Sequence, residues 1–166
     1  MSDYGAIIDG EKVEKWLDTM SDSDYQRKVL YRAVMDGGRV LQTNTKDLFK
    51  RRMGESSAHN SKEVGGPFYD GVTLKGDRAY LFARVAIMKD YRMKWFELGT
   101  NERIHGHKIR KGVYEERVNA SGSSHSTGRI KPLYFFRDAR NSSQRQIEDA
   151  IINSINNAYK KLEAQQ

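Results

Sequence analysis

The sequence predicts an α+β fold in which a long N-terminal helix and a C-terminal helix pack on a small antiparallel sheet, with a basic loop or hairpin arm projecting from it. Residues 22–53 carry apolar or small side chains at three- and four-residue spacing, the period of an amphipathic helix. The same spacing returns in residues 138–162. Between them, residues 72–98 alternate apolar and polar side chains in short runs bounded by turn residues, which is typical of antiparallel strands.

The chain is long enough for one domain with a hydrophobic core and short for two. It has 166 residues, of which 37% are hydrophobic, so we expect residues 1–166 to form a single domain. It contains no cysteine, which excludes disulfides and thiolate metal sites and suits a reducing cytoplasm. The N-terminus lacks the features of a signal peptide, and no apolar run approaches the roughly 18 residues of a membrane helix. We therefore expect neither export by that route nor insertion in a membrane.

Two helical segments are predicted in the first third of the chain. Within residues 1–21 we expect a short helix, because apolar side chains recur there at three- and four-residue spacing. The long helix covers residues 22–53 and contains Gly37-Gly38. Each glycine costs about 1 kcal/mol relative to alanine inside a helix, so either the helix bends there or another part of the backbone packs closely against it. Residues 54–71 are rich in Gly, Ser and Asn and predict a surface loop.

Strands and a last helix are predicted after that loop. Residues 72–98 are expected to form three antiparallel strands, at 72–75, 79–88 and 92–98, with turns between them. In the middle strand, alternate residues form a continuous apolar face that we expect to pack on the helices. Residues 132–166 contain an aromatic run and then the C-terminal helix.

The basic arm, residues 99–131, is the strongest feature outside the predicted core. It holds three acidic residues and seven basic ones: Arg103, Lys108, Arg110, Lys111, Arg117, Arg129 and Lys131. The segments on either side of Lys111-Gly112 predict a hairpin, whereas residues 119–128 predict no buried element. A mobile basic arm suits sequence-independent contacts with the phosphates of duplex DNA, and it equally suits docking on an acidic protein surface. The pattern leaves both partners open.

No catalytic, cofactor-binding or metal-binding site is expected. The sequence has no phosphate-binding loop, dinucleotide fingerprint, serine elbow or zinc-binding helix motif. The four histidines lie in polar loops with no cysteine to join them, so solvated histidines are favoured over a metal site. Glu97 could serve as a general base at the end of a strand. An exposed or interfacial salt-bridging role is favoured instead, because the pattern supplies no partner acid or nucleophile. We therefore do not expect an enzyme.

Two segments in the second half of the chain resemble a known family. The first is a predicted strand that ends in Glu, a hydrophobic residue, Gly and Thr: Trp95-Phe96-Glu97-Leu98-Gly99-Thr100. The second has a proline, two phenylalanines and an alanine at the start of the last helix: Pro132, Phe135, Phe136 and Ala139. This order resembles the head-tail joining family of tailed bacteriophages, the small neck and tail-completion proteins between portal and tail. The loop between the segments, 27 residues from 101 to 127, departs from the family pattern in its length.

The resemblance implies a structural virion protein of the phage neck or tail, made in the cytoplasm of the bacterial host. Such proteins form homo-oligomeric rings that join the DNA-filled head to the tail or complete the tail. They contact portal, neck and tail proteins and let double-stranded DNA pass. The resemblance implies assembly contacts at the matched residues: Trp95, Glu97, Gly99, Thr100, Pro132, Phe135 and Phe136. The alternative is a non-specific nucleic-acid-binding protein that acts outside a virion, and a small hydrolase using loop histidines is a distant third.

Four of the matched residues also carry local expectations. Gly99 is expected to turn the chain sharply off the sheet with a positive φ, and Thr100 to form a hydrogen bond across that turn. Phe135 and Phe136 are adjacent, so in an extended chain their side chains point in opposite directions. Either both pack within this domain, or one of them is covered by a neighbouring subunit.

Overall fold

The protein has an α+β fold, as the sequence predicts. The structure is a computed structural model that describes the backbone of residues 5–9, 23–101, 104–105, 107–110, 113–116, 125–126 and 128–163, and the side chains of residues 24–101 and 128–161. Its helices are α1 (Ser23–Met53), α2 (Arg92–Leu98) and α3 (Phe135–Glu163), with 3-10 helices at Gly54–Ala58 and Phe68–Gly71. Its strands are β1 (Gly5–Asp9), β2 (Asn60–Ser61), β3 (Gly66–Pro67), β4 (Thr73–Asp77), β5 (Phe82–Ala86), β6 (Ile104–His105), β7 (His107–Arg110), β8 (Val113–Glu116) and β9 (His125–Ser126).

The largest sheet has three antiparallel strands in the order β1-β5-β4. Strand β1 was not predicted, since the short helix expected within residues 1–21 begins only at Asp9 or Gly10 and no element was assigned before it. Residues 5–9 are instead a strand, because their backbone completes hydrogen bonding along the otherwise open edge of β5. The short helix expected after them falls on residues 10–22, which lie outside the described residues.

Helix α1 packs against the sheet on one side and against α3 on another, and its two central glycines mark both contacts. A Cβ on Gly37 would lie 3.0 Å from the side chain of Ile151 in α3. A Cβ on Gly38 would lie 2.7 Å from Leu74 and 3.1 Å from Ala83, both in the sheet. The glycine pair therefore makes room for side chains of α3 and of the sheet, whereas the close neighbour expected from the sequence was another part of the backbone.

Phe49 of α1 lies in the main core, which also contains residues of β5, α2 and α3. Phe49 is fully buried, and its ring centroid lies 4.7 Å from that of Phe135 and 6.1 Å from that of Phe96. Val85 and Ile87 enter the same cluster from β5 and the residue after it. Burial of this aromatic cluster fixes the start of α3 against the end of α1 and against α2.

Residues 92–98 form helix α2, so the third predicted strand is wrong. The backbone amide of Arg92 donates to the Asp90 carboxylate at 2.9 Å, and the amide of Met93 donates to the Asp90 carbonyl at 3.0 Å, which starts a helical turn. Met93 and Glu97, four residues apart, are the buried residues of this helix. A seven-residue segment fits either period; a strand would place Trp95 on the same face as Met93 and Glu97, whereas in the helix Trp95 is exposed.

Residues 54–71 were predicted to be a surface loop, and this prediction is also wrong. They form two 3-10 turns and the small β2–β3 pair, and they bury Ser57, Ser61, Val64 and Phe68. Phe68 belongs to the main core and packs edge-on against Phe96, with ring centroids 5.8 Å apart. The segment has no periodicity because its contacts come from isolated side chains rather than from one face of a regular element.

Candidate functional site

The two sequence segments that carry the family resemblance meet in space at the end of α2. The carbonyl of Phe96 accepts the amide of Leu133 at 2.8 Å, and the carbonyl of Glu97 accepts the amide of Tyr134 at 3.1 Å. The last carbonyls of a helix have no partner within the helix, so residues 133–134 satisfy groups that α2 leaves open. The second segment therefore caps the C-terminus of α2.

The Glu97 side chain returns this contact by capping the N-terminus of α3. One carboxylate oxygen, Oε2, accepts the amide of Phe136 at 2.8 Å, and the other, Oε1, accepts the amide of Arg137 at 3.0 Å. These amides lie in the first turn of α3, where intrahelical acceptors are missing and the helix dipole favours a negative charge. Each helix thus caps the other, and we call this arrangement the reciprocal cap.

Burial of Glu97 corrects the sequence-based interpretation of this residue. Its exposed fraction is 3%, so it is neither an exposed nor an interfacial salt-bridging side chain. The helical turn places Glu97 below Met93 on the buried face, where its carboxylate reaches the start of α3. Both carboxylate oxygens accept hydrogen bonds from backbone amides.

Gly99 and Thr100 close the base of the arm with the predicted positive φ and hydrogen bond, but the chain turns off helix α2 rather than off the sheet. Gly99 has φ 76° and ψ −177°, a conformation that is essentially restricted to glycine. A Cβ at this position would lie 2.8 Å from the Ile130 carbonyl oxygen and 2.9 Å from Pro132. The amide of Thr100 donates to the Ile130 carbonyl at 3.0 Å, and the Thr100 hydroxyl accepts the Ile130 amide at 3.0 Å. The two ends of the arm are therefore held together at its root.

Phe135 and Phe136 are both buried within this chain, with exposed fractions of 0% and 7%. Both rings therefore pack within this domain, and the alternative that a neighbouring subunit covers one of them is not needed. The reason is that α3 already begins at Phe135, and neighbouring residues of a helix point about 100° apart rather than in opposite directions. Neither ring needs cover from a neighbouring subunit. Of the other matched residues, Trp95 and Pro132 are exposed.

Asp138 joins the start of α3 to the end of α1. Its carboxylate accepts a hydrogen bond from Arg52 at 2.8 Å and another from Arg137 at 2.9 Å. The hydrogen bond from Arg52, with that from Arg137, lowers the pKa of Asp138 below its usual value. Arg52 also donates to the carbonyl of Leu133. The same residues that cap α2 are thus tied to the long helix.

Asp90 holds the N-terminal side of α2, and sequence reasoning missed this role. Its carboxylate is fully buried and accepts hydrogen bonds from the Arg92 guanidinium at 2.7 and 3.0 Å, and from the Ser61 hydroxyl. These contacts lower the pKa of Asp90 to about 2, with the Arg92 side chain as the largest cause. An Asp just before a segment with helical apolar spacing is a helix-start pattern, but Lys89-Asp90 was interpreted as the turn between the second and third predicted strands.

The basic residues of the arm divide between described and undescribed positions. Arg129 and Lys131 are exposed and line an open hollow of about 540 Å³ with Leu98 and Pro132. Lys108 and Arg110 lie in β7, which pairs with β8 through a two-residue connection, so the predicted hairpin is confirmed. Three others lie outside the described residues: Arg103, Lys111 and Arg117.

No metal or membrane site is visible in the described part of the chain. Among those residues, no group of three or more His, Asp or Glu side chains is placed to hold a metal ion. No helix within the same residues is long and apolar enough to cross a membrane. Comparison with known proteins found no family model that fits the sequence, no similar curated protein and no matching solved structure. The family resemblance stays a prediction.

Proposed function

We propose that this protein is a structural component of the neck or tail of a tailed phage, a ring-forming subunit that joins the DNA-filled head to the tail or completes the tail. The observation that carries the proposal is the reciprocal cap. The two halves of the family pattern lie 39 residues apart in sequence at their Glu97–Phe136 contact, yet they bind each other directly. A pattern whose two halves form one packed unit is more specific than two unrelated short matches.

The packed unit also explains how an arm of unusual length is presented. Thr100 and Ile130 pair at its root, directly beside the reciprocal cap, so residues 101–127 leave from a rigid base. Binding segments commonly project from such scaffolds because the scaffold orients them at little cost in stability. We propose that the arm contacts a neighbouring subunit or the portal.

A structural role is favoured over a catalytic one by the state of Glu97, whose carboxylate is committed to two backbone amides. We propose that any contact between this protein and passing duplex DNA is weak and made by spread basic side chains to phosphates. Contacts of that type carry no sequence information and weaken as salt rises. They suit a channel through which a genome must move.

The test combines the full chain with the portal and tail proteins encoded beside its gene. The matched variant replaces residues 101–127 by a short glycine-containing turn. We expect the full chain to form rings that bind these partners after nuclease treatment, as seen by electron microscopy and native mass spectrometry. We expect the variant to keep the cooperative unfolding of the full chain and to lose partner binding, because the rigid base lies outside the deleted segment.

Two results would contradict the proposal. If the full chain bound none of these proteins but bound duplex DNA with a steep salt dependence, the nucleic-acid-binding alternative would replace it. If the shortened variant still assembled with the partners as well as the full chain does, the arm would not be the docking element.

A further inference from the structure

Helix α2 and Tyr91, the residue before it, expose a stripe of large apolar side chains. Tyr91, Trp95 and Leu98 have exposed fractions of 54%, 36% and 45%, and their spacing of four and three residues places them on one face. The Tyr91 and Trp95 rings pack edge-to-face with centroids 5.1 Å apart. An exposed apolar cluster of this kind marks an interaction surface more often than a random surface does. We call these three residues the aromatic patch.

Positive charge borders the aromatic patch at the root of the arm. Leu98 lines the same open hollow as Arg129 and Lys131, and both basic side chains are exposed. Neither forms an ion pair with another described residue. A docking partner for this surface therefore needs an apolar centre and a carboxylate-bearing edge.

A surface with those properties lies on α3 of this same chain. Ile152 has an exposed fraction of 55%, and Glu148 and Asp149, both exposed, precede it by one helical turn on the same side. Neither carboxylate forms an ion pair within the described residues. Arg145, one further turn back, is the nearest positive residue along this side of the helix. We call Glu148, Asp149 and Ile152 the acidic face.

The aromatic patch and the acidic face of one molecule do not meet each other. The patch adjoins the start of α3, and Ile152 lies 17 residues further along that helix, a rise of about 25 Å at 1.5 Å per residue. Contact between the two surfaces therefore requires two molecules. Because the surfaces differ, such a contact is head-to-tail and repeats from subunit to subunit until it closes into a ring or extends as a filament.

We propose that the aromatic patch of one subunit docks on the acidic face of the next copy of this chain, with Arg129 and Lys131 facing Glu148 and Asp149. This inference rests on the proposed ring-forming function and names the surfaces through which the subunits meet. Trp95, which the family resemblance marked for assembly, keeps that role here. Three others of the marked residues, Glu97, Phe135 and Phe136, act inside the subunit.

The cysteine-free chain allows a direct test by cross-linking. We would mix the Leu98→Cys and Ile152→Cys variants and treat them with a short bis-maleimide. Tyr80→Cys, whose exposed fraction in the parent chain is 78%, replaces Leu98→Cys in the matched control. We expect the Leu98–Ile152 pair to yield at least about tenfold more cross-linked dimer than the control pair, since a contact worth 1.4 kcal/mol or more raises the encounter by that factor. A yield equal to the control overturns the proposal, as does cross-linking of Leu98→Cys mainly to a second copy of the same variant.

A charge reversal adds a second, independent measurement. When Glu148→Lys and Asp149→Lys are added to the Ile152→Cys subunit, we expect the cross-link to a Leu98→Cys subunit that keeps Arg129 and Lys131 to disappear. Adding Arg129→Glu and Lys131→Glu to the Leu98→Cys subunit should restore it. All four positions are exposed, so unfolding temperatures should stay near that of the parent chain. Failure of the reversed pair to restore the cross-link overturns the assigned charge pairing.

The outcome also separates this inference from the proposed function. Rings that form without the Leu98–Ile152 cross-link would overturn the docking surfaces and leave the neck function standing. If the Leu98–Ile152 cross-link formed but the subunits assembled only into open filaments, the result would support the docking surfaces and count against a ring-forming neck protein.

Discussion

Replacement of Glu97 by glutamine should destabilise the protein, although it adds no volume and leaves the surface unchanged. The carboxylate accepts two backbone amides in the first turn of α3 from a site with an exposed fraction of 3%. Glutamine keeps one acceptor oxygen and turns an NH₂ group toward the second amide, so one hydrogen bond is lost and a buried donor is left without a partner.

The magnitude follows from those two losses. A hydrogen bond to a charged group contributes about 1.5–3 kcal/mol net, and the interaction of the charge with the helix dipole adds about 0.3–1 kcal/mol. Because such effects overlap, we expect Glu97→Gln to lower the free energy of unfolding by about 2–3 kcal/mol. For a chain of this length, that corresponds to a fall of about 5–10 °C in the unfolding temperature.

Urea unfolding followed by circular dichroism measures this difference, with Glu55→Gln as the matched control. Glu55 is exposed, so its replacement should change the unfolding free energy by less than about 0.5 kcal/mol. If Glu97→Gln changed stability no more than the control does, the reciprocal cap would contribute nothing measurable. The inference that the cap makes the arm's base rigid would then be wrong.

Two further predictions concern the ends of α2. Gly99→Ala should lower the free energy of unfolding by about 3 kcal/mol in thermal denaturation, because it adds a Cβ 2.8 Å from a carbonyl oxygen at φ 76°. Gly65→Ala, at φ 75° with nothing within 4 Å, is the control and should cost only about 1 kcal/mol; equal costs would contradict the steric argument. Asp90, with its pKa lowered from 3.8 to about 2, stabilises the folded state above its unfolded pKa and loses that contribution as pH falls through about 2. The difference in unfolding free energy between wild type and Asp90→Asn should therefore narrow by about 1–2 kcal/mol between about pH 5 and pH 2 in chemical denaturation, a figure reduced for solvent screening at the partly exposed Arg92. A difference that stays constant over this range would show that the pKa of Asp90 is the same in the folded and unfolded states.

The reciprocal cap has a consequence for function, since it couples the arm to the core. The root of the arm, Thr100 with Ile130, sits between the residue that caps α3 and the residues that cap α2. A force on the arm would act on two helix ends that are bound to each other and to α1 through Arg52. In the proposed neck assembly, this arrangement would transmit the force of a docking contact directly to the subunit core.

Features encoded by local physical chemistry could be predicted from the sequence alone. The apolar stripes within 22–53 and 138–162 specify helices because their period extends over many turns. The two-residue connection specifies the hairpin of β7 and β8. Gly99 specifies its own turn, because that backbone conformation excludes other residues.

Tertiary structure decided the elements whose partners are distant in sequence. The segment 92–98 is too short for its period to decide between strand and helix, and Asp90, Phe96 and the start of α3 make it a helix. Strand β1 forms because β5 has an open edge with which it can pair, and nothing in the sequence of residues 5–9 predicts this pairing. From local sequence, Glu97 is expected on the surface. It is buried because α3, which begins 38 residues later, starts with backbone amides that lack acceptors. In each case the structure of the segment depends on a backbone hydrogen-bonding group or a buried ring from elsewhere in the chain. The local sequence pattern contains no information about that distant group, so it cannot predict the contact.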